Sequence, residues 1–523
     1  MRKESTDKIN NSLKLIAKTS FIVFVGIVIS KLLGYSYRVM IARYFGPSVY
    51  GQFSIALMVS GWFIAFSALG LSDGLLRFIP IYRGKNETAK IKHIFRFSLL
   101  VTSVTSMIAG LLLYFLSEFI AVQIFHSQSL IIFLKVFSII IPLSVISYPF
   151  LVCLRAFEKI SWYSFVFNIA QNVIKVSCLL LFITLGLNSN AVTLSYLLGI
   201  AGMLIISYIV CRKLVPVLFD GGQVKPEERK ELQRDLVSYS VPMLLFGIVS
   251  MVFYWIDSAS IGYFKSITEV GFYNAAVPIA LLLGIAPELF MQLFFPLITR
   301  EYAKKRIHLI EQLSKQVAKW ILLINLPVLA IILVFPGAVI NILFGGQYLI
   351  AENALRILAI GSLISSVFVI SNHLITMIGK SKLVLINIVI ASVVNLVLNF
   401  ILVPMQKIGF IENASGLNGA AIATLISVCL LNFLFVVQAH KHLSIIPIRR
   451  KMLNLFVIAL IPTLVLVYLR TKFVSNDLIT LGMLGAGYLA VYIVLVFISG
   501  ALDKNDWLIV RSIWDKVSRT KGS

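Results

Sequence analysis

Charged side chains are scarce in this chain: Asp, Glu, Lys and Arg make up 13% of 523 residues, about half of what a soluble domain carries. That shortage excludes an ordinary water-soluble fold. Cysteine is rarer still, and Cys153, Cys178, Cys211 and Cys429 show no paired spacing, so neither a disulfide framework nor a metal site is indicated. No stretch between apolar blocks exceeds about 20 residues, which leaves no room for a soluble catalytic domain. Phosphate-binding glycine loops, HExxH and serine or cysteine triad contexts are also missing.

Apolar residues fill the space, at 59% of the chain with a mean hydropathy of +0.95, which is membrane-protein composition. At roughly 20 residues per crossing, the blocks between charged clusters read as fourteen helical spans: 19–43, 50–76, 97–118, 129–153, 162–185, 190–211, 237–262, 268–297, 320–343, 350–378, 383–404, 417–438, 452–469 and 478–500. The first block runs too long for a cleaved signal peptide and lacks its small-residue cleavage pattern, so it is expected to be a retained helix. The fold class expected is all-α and integral to the membrane.

A formal net charge of +24 invites a nucleic-acid reading, which the placement of the charges opposes. With both termini cytoplasmic, the inside segments hold 36 Lys and Arg and the outside segments six, namely Arg38, Arg43, Lys265, Lys407, Arg470 and Lys472. That asymmetry is the positive-inside signal, helped by anionic lipid at the inner surface.

The stretch IARYFGPSVYGQFSIA from Ile41 is echoed by IGYFKSITEVGFYNAA from Ile261. Further pairs keep the order. Arg38 and Tyr44-Phe45 match Asp257 and Tyr263-Phe264 at an offset of 219, and Gly51 matches Gly271 at 220. Leu134-Lys135 matches Leu355-Arg356 at 221, as Lys159 matches Lys380, and Asn172 matches Asn395 at 223. GLNSNAVTLS from Gly186 matches GLNGAAIATL from Gly416 at 230. An offset that only grows marks a duplication with small insertions. Each copy holds six spans, an even number, so the copies enter the membrane from the same side and are related by an axis along its normal. The expected organisation is a cytoplasmic tail (1–18), an N-lobe (19–212), a linker helix (213–236), a C-lobe (237–440), two extra spans (441–500) and a cytoplasmic amphipathic tail (501–523) carrying Trp507, Val510, Trp514 and Val517.

Polar groups inside lipid are costly, so function is sought there. On span 1, Lys31, Gly34, Tyr35 and Arg38 share one helical face, and on span 5 Asn168, Gln171, Asn172 and Lys175 repeat the same spacing. These read as cationic and amide-lined walls of a wet, anion-attracting cavity; snorkelling of Arg38 and simple interhelical bonding of the amides are the bland alternatives. Asp257 occupies the repeat position of Arg38 and is a candidate for a gate pair with it. Glu288 and Asp73 are candidates for carrying a coupling proton or sodium ion, or for structural pairing. Lys135 and Arg356 are weaker cationic candidates, better read as snorkelling residues. His373, alone on span 10, reads as a bundle residue, and Asn413-Ala-Ser415 fits a glycan acceptor on an outside loop. Pro142, Pro149, Pro242, Pro278 and Pro287 fall within spans 4, 7 and 8, where they can kink helices.

These residues resemble the polysaccharide and lipid-linked oligosaccharide flippases of the multidrug/oligosaccharidyl-lipid/polysaccharide exporter superfamily. The resemblance is carried over nearly the whole chain by IARYFGPSVYGQFSIA, ALGLSDGLLRFIP from Ala68, RAFEKISWYS from Arg155, DSASIGYFKSITEVGFYNAA, FFPLITREYAKK from Phe294 and GLNGAAIATLIS. It implies fourteen helices in two lobes around a basic cavity lined by spans 1, 2, 7 and 8, opening alternately to each side. It further implies a polyprenyl or dolichyl (di)phosphate-linked oligosaccharide as substrate, with Lys31, Arg38 and Lys175 attracting its phosphates. No cofactor is implied. A monomer in the cell membrane, working beside glycosyltransferases or a polymerase, is expected. Asp257 departs from a purely cationic wall. The alternatives are a cation-coupled drug antiporter of the same superfamily, which calls for a more acidic cavity, a glycan polymerase or ligase, which calls for a large charged outside loop, and a scramblase or structural partner, which needs no ordered polar stripes.

Overall fold

A computed structural model of the protein describes residues 2–220, 224–405, 416–472 and 478–500. The amphipathic tail and the Asn413 to Ser415 tripeptide lie outside the described residues. Within them every regular element is a helix and none is a strand, as lipid demands of a backbone that must satisfy its own hydrogen bonds. Among the described residues thirteen helices are long and apolar enough to cross a membrane. The first of them, Gly26–Ala68, is interrupted at Gly46 (φ 82°, ψ 178°), a backbone conformation that suits glycine. Pro47 then opens the next helix, where its missing N–H costs nothing. This one apolar run therefore contains spans 1 and 2, which makes fourteen spans among the described residues.

Several helices depart from their expected limits, among them span 9, expected over 320–343, which ends at Val334 and is followed by a separate helix, Pro336–Phe344. Span 2, expected to run to 76, stops at Ala68; Leu69 and Gly70 take positive φ (51° and 66°) and a second helix, Leu71–Gly84, follows. The linker and span 7 form one helix, Pro226–Phe264, of 39 residues. Pro242 inside it ends neither segment. After Pro278, by contrast, the helix Ile267–Ala280 passes into a 3-10 turn, Leu281–Gly284, before Ile285–Ala303.

The chain packs as two compact units, Met1–Asn274 with Leu396–Leu417, and Ala275–Asn395 with Asn418–Ser523. Packing units and sequence repeats are thus different partitions of the chain. In the first unit the echoed hairpins meet each other. A Cβ added to Gly51 would overlap the Ile267 carbonyl oxygen and lie 2.9 Å from its carbon, while one added to Gly271 would overlap the Pro47 carbonyl oxygen and lie 2.9 Å from its carbon. Ile267 and Pro47 are themselves 220 apart, so the contact is reciprocal, as a two-fold axis requires. The helix Pro226–Phe264 lies along the same unit. Its Leu236 and Ser240 fill the space above Gly70 and Gly74, Met251 covers Gly61, and near its end Gly262 admits Phe125 and Ile55. At its start Glu228 meets Lys90 (3.8 Å) and Gln233 meets His93 (3.2 Å).

In the second unit the buried Asn325 amide donates to the Leu283 carbonyl (2.8 Å) and to Ser366 Oγ (2.9 Å), holding the 3-10 turn. The two extra helices, Arg450–Lys472 and Leu478–Ile498, dock on Ile307–Val334. The Tyr492 hydroxyl donates to the Leu323 carbonyl (3.2 Å), and Arg449 donates to Gln316 (3.1 Å).

Candidate functional site

Span 5 is not a plain α-helix. Residues Ile160–Ser164 start it, a π-helical turn Phe165–Ala170 widens it, and Gln171–Thr184 completes it. Such a turn shifts the side chains that precede it relative to those that follow, a feature common at functional sites. Asn168, Gln171 and Lys175 are buried and Asn172 is half-buried. The Asn168 amide donates to Ser164 Oγ (3.1 Å), and the Asn172 amide donates to the Asn168 carbonyl (2.9 Å) and to Ser30 Oγ on span 1 (3.0 Å). Gln171, with its amide oriented to satisfy both neighbours, donates to the Phe167 carbonyl (3.2 Å) and accepts from Lys175 Nζ (2.7 Å).

Lys175 is only 7% exposed. Its ammonium lies 4.2 Å from the centre of the Tyr196 ring, a cation–π contact, and its stem runs over Gly199, where an added Cβ would collide with Cγ. The Tyr196 ring is stacked on Phe137 (5.3 Å) and edged by Phe53 (5.6 Å). Arg38 is near enough for its charge to act on Lys175, and its guanidinium donates to the Tyr50 hydroxyl. That hydroxyl donates onward to the Asn274 carbonyl (3.0 Å). Beside it the Tyr37 hydroxyl donates to the Val192 carbonyl (2.9 Å). Two cations are therefore held in an apolar bundle by amides, hydroxyls and ring faces. These groups orient positive charge without neutralising it, which leaves the pair suited to an anion.

Asp257, also buried, sits in a polar group of the same unit that meets the Arg38–Tyr50 chain at Asn274. It accepts from the Tyr273 hydroxyl (2.6 Å) and from the Asn399 amide (2.9 Å), while Asn274 donates to Ser258 (2.9 Å). In each repeat the charged residue at this position is thus gripped by a tyrosine of the following helix, Tyr50 for Arg38 and Tyr273 for Asp257. Lys31 is half-buried on the face it shares with Arg38, and between them Gly34 borders open space.

The remaining predicted residues lie elsewhere. Asp73 is exposed in the first turn of Leu71–Gly84, where a carboxylate favours the helix N-terminus. Glu288 is exposed in the first turn of Ile285–Ala303, in the second unit. Lys135 is exposed with its ammonium over Tyr114 (5.4 Å). Arg356 is tied to Glu352 (3.7 Å), Asn353 (2.6 Å) and the Leu333 carbonyl (3.2 Å), and the structure gives it a bracing position. His373 lies against Phe295 (5.3 Å). The tyrosines and Gly199 were missed by reading for charge and amides. Their signal was present: Tyr196 and Gly199 stand three apart on span 6, opposite the stripe they serve.

Among the described residues, fourteen apolar spans, a duplicated hairpin, the buried Lys175 and the half-buried Arg38 make a multi-pass membrane protein, and the comparisons place it among transporters. The family model described as polysaccharide biosynthesis protein matches residues 16–301, and the MatE model matches residues 242–401. The chain belongs to the polysaccharide biosynthesis protein family, within the multidrug/oligosaccharidyl-lipid/polysaccharide exporter superfamily. It is 24% identical to an uncharacterised membrane protein of Methanocaldococcus jannaschii, covering 89% of this chain and 92% of that protein. With the lipid II flippase MurJ of Bacillus subtilis it shares 22% identity over 76% of this chain and 78% of that one. A solved structure of lipid II flippase MurJ in an inward closed conformation superposes with a TM-score of 0.70 at 18% identity, covering 91% of this chain and 98% of the other, which speaks for the fold.

Proposed function

We infer that the protein is a flippase that moves a polyprenyl or dolichyl (di)phosphate-linked oligosaccharide from the cytoplasmic to the outer leaflet of the cell membrane, by alternating access, for surface polysaccharide or glycan assembly. The observation that carries this reading is the Arg38–Lys175 pair, held among Tyr50, Tyr196 and Gln171. A phosphate is the group whose charge most needs such partners on the way through hydrocarbon. The charge distribution supports cytoplasmic termini. Asp257, a buried carboxylate held by hydrogen bonds from Tyr273 and Asn399, is the position best suited to a coupling proton or sodium ion. The chain works as a monomer, with glycosyltransferases or a polymerase as pathway neighbours.

Reconstitution in liposomes with a labelled lipid-linked oligosaccharide tests the reading. Leaflet exchange is expected, and is expected to fall to background when Lys31→Ala, Arg38→Ala and Lys175→Ala are combined. Exchange that is absent from the start, or indifferent to the triple change, rejects the function or the site respectively. The second reading, a cation-coupled small-molecule antiporter of the same superfamily, draws on the MatE match over residues 242–401. It predicts sodium- or proton-driven efflux of organic cations from the same vesicles.

A further inference from the structure

The helix Ile285–Ala303 and the turn before it carry a second ordered stripe. Gly284, Glu288, Gln292, Phe295 and Thr299 follow one another at four, four, three and four residues, so they share one face about 22 Å long. Glu288, Gln292 and Thr299 are exposed and Phe295 is half-buried. At Gly284 an added Cβ would meet nothing within 4 Å, so the face borders open space. His373 of the neighbouring helix Glu352–Met377 leans on the Phe295 ring (5.3 Å, 57° between planes). Beside it the Asn372 side-chain oxygen is buried without a hydrogen-bond partner among the described residues. A carboxylate and an amide on the open face of a spanning helix belong in water, because in lipid each would cost several kcal/mol; the Thr299 hydroxyl donates to the Phe295 carbonyl (2.8 Å) and keeps its lone pairs as acceptors.

The chemistry differs from that of the Arg38–Lys175 pair. No Lys or Arg stands on this face between Gly284 and Thr299; hydrogen-bonding groups alternate with an aromatic ring. Sugar hydroxyls both donate and accept, which suits carboxylate, amide, hydroxyl and imidazole, and the apolar C–H face of a pyranose suits a phenyl ring. We propose that this stripe, with His373, binds the saccharide portion of the lipid-linked substrate and sets which glycan is carried. The inference rests on the flippase reading above and adds the sugar-recognition residues.

The test compares two probes in the same proteoliposomes, a polyprenyl diphosphate-linked disaccharide and sugar-free polyprenyl diphosphate. Gln292→Ala and Phe295→Ala are expected to slow initial transport of the disaccharide lipid by about tenfold or more while leaving the sugar-free lipid within about twofold. Phe295→Tyr, which keeps the ring, is expected to restore the rate and guards against a folding artefact. Lys175→Ala is expected to slow both probes alike. Equal losses for both probes in the stripe variants, or no loss in either, overturn the proposal while wild-type transport keeps the flippase reading standing. Wild-type vesicles that move neither probe overturn both.

Discussion

Replacing Gly51 or Gly271 by alanine should open the end of the transporter at which the two echoed hairpins cross. Each new methyl would overlap a backbone carbonyl oxygen of the facing hairpin and stand 2.9 Å from the carbonyl carbon, and backbone cannot swing aside as a side chain can. Overpacking of this kind costs roughly 1–3 kcal/mol per site. If the crossing forms only when this end is closed, a cost of about 2 kcal/mol shifts the closed-to-open ratio by about thirtyfold. The readout is the distance between spin labels at Tyr44→Cys and Tyr263→Cys, exposed repeat-equivalent positions on the two hairpins, with Cys153, Cys178, Cys211 and Cys429 replaced. The distribution should move to longer distances in either glycine variant and further in the double variant. Unchanged distributions in all three would refute the claim that the glycines are needed for closure.

Three other outcomes follow from the site. Gly199→Val should reproduce the transport loss of Lys175→Ala without removing a charge, since its side chain takes the space of the lysine stem; uptake rates of the two variants, compared at equal expression, check this. Exchanging charges as Arg38→Asp with Asp257→Arg should fail to restore transport lost in the single variants, because each residue is held by its own tyrosine; recovery would instead make them a gate pair. Lys135→Gln should leave transport within about twofold of wild type, as expected of an exposed snorkelling residue, in the same vesicle assay.

Much of this architecture was legible because lipid simplifies the code. Hydropathy alone marks spans, and the ordered pairs from Arg38/Asp257 to Gly186/Gly416 reveal the duplication. The stripe from Asn168 to Lys175 was visible as helical spacing. What spacing could not give is conformation that depends on neighbours. The π-helical turn at Phe165–Ala170 leaves no compositional mark, and the break at Leu69–Gly70 packs against Ser240 and Leu244 of a helix some 170 residues distant. The roles of Tyr50, Tyr196 and Tyr273 were hidden for a related reason: a tyrosine in an apolar run reads as core until the charge it holds is seen beside it.

The helix Pro226–Phe264 is pinned at both ends, by Glu228 and Gln233 to the helix that begins at Thr88 and by Asp257 to Tyr273. Over 39 residues its length is about 58 Å, nearly twice the hydrocarbon thickness. Pinning fixes its phase as well as its position. One residue inserted or deleted between Gln233 and Asp257 would turn one set of anchors about 100° away from the other, whereas changes ahead of Pro226 would leave both in register. The rod itself therefore sets the angular clock by which Asp257 finds its partners, and a length change inside it, unlike one ahead of Pro226, breaks that setting.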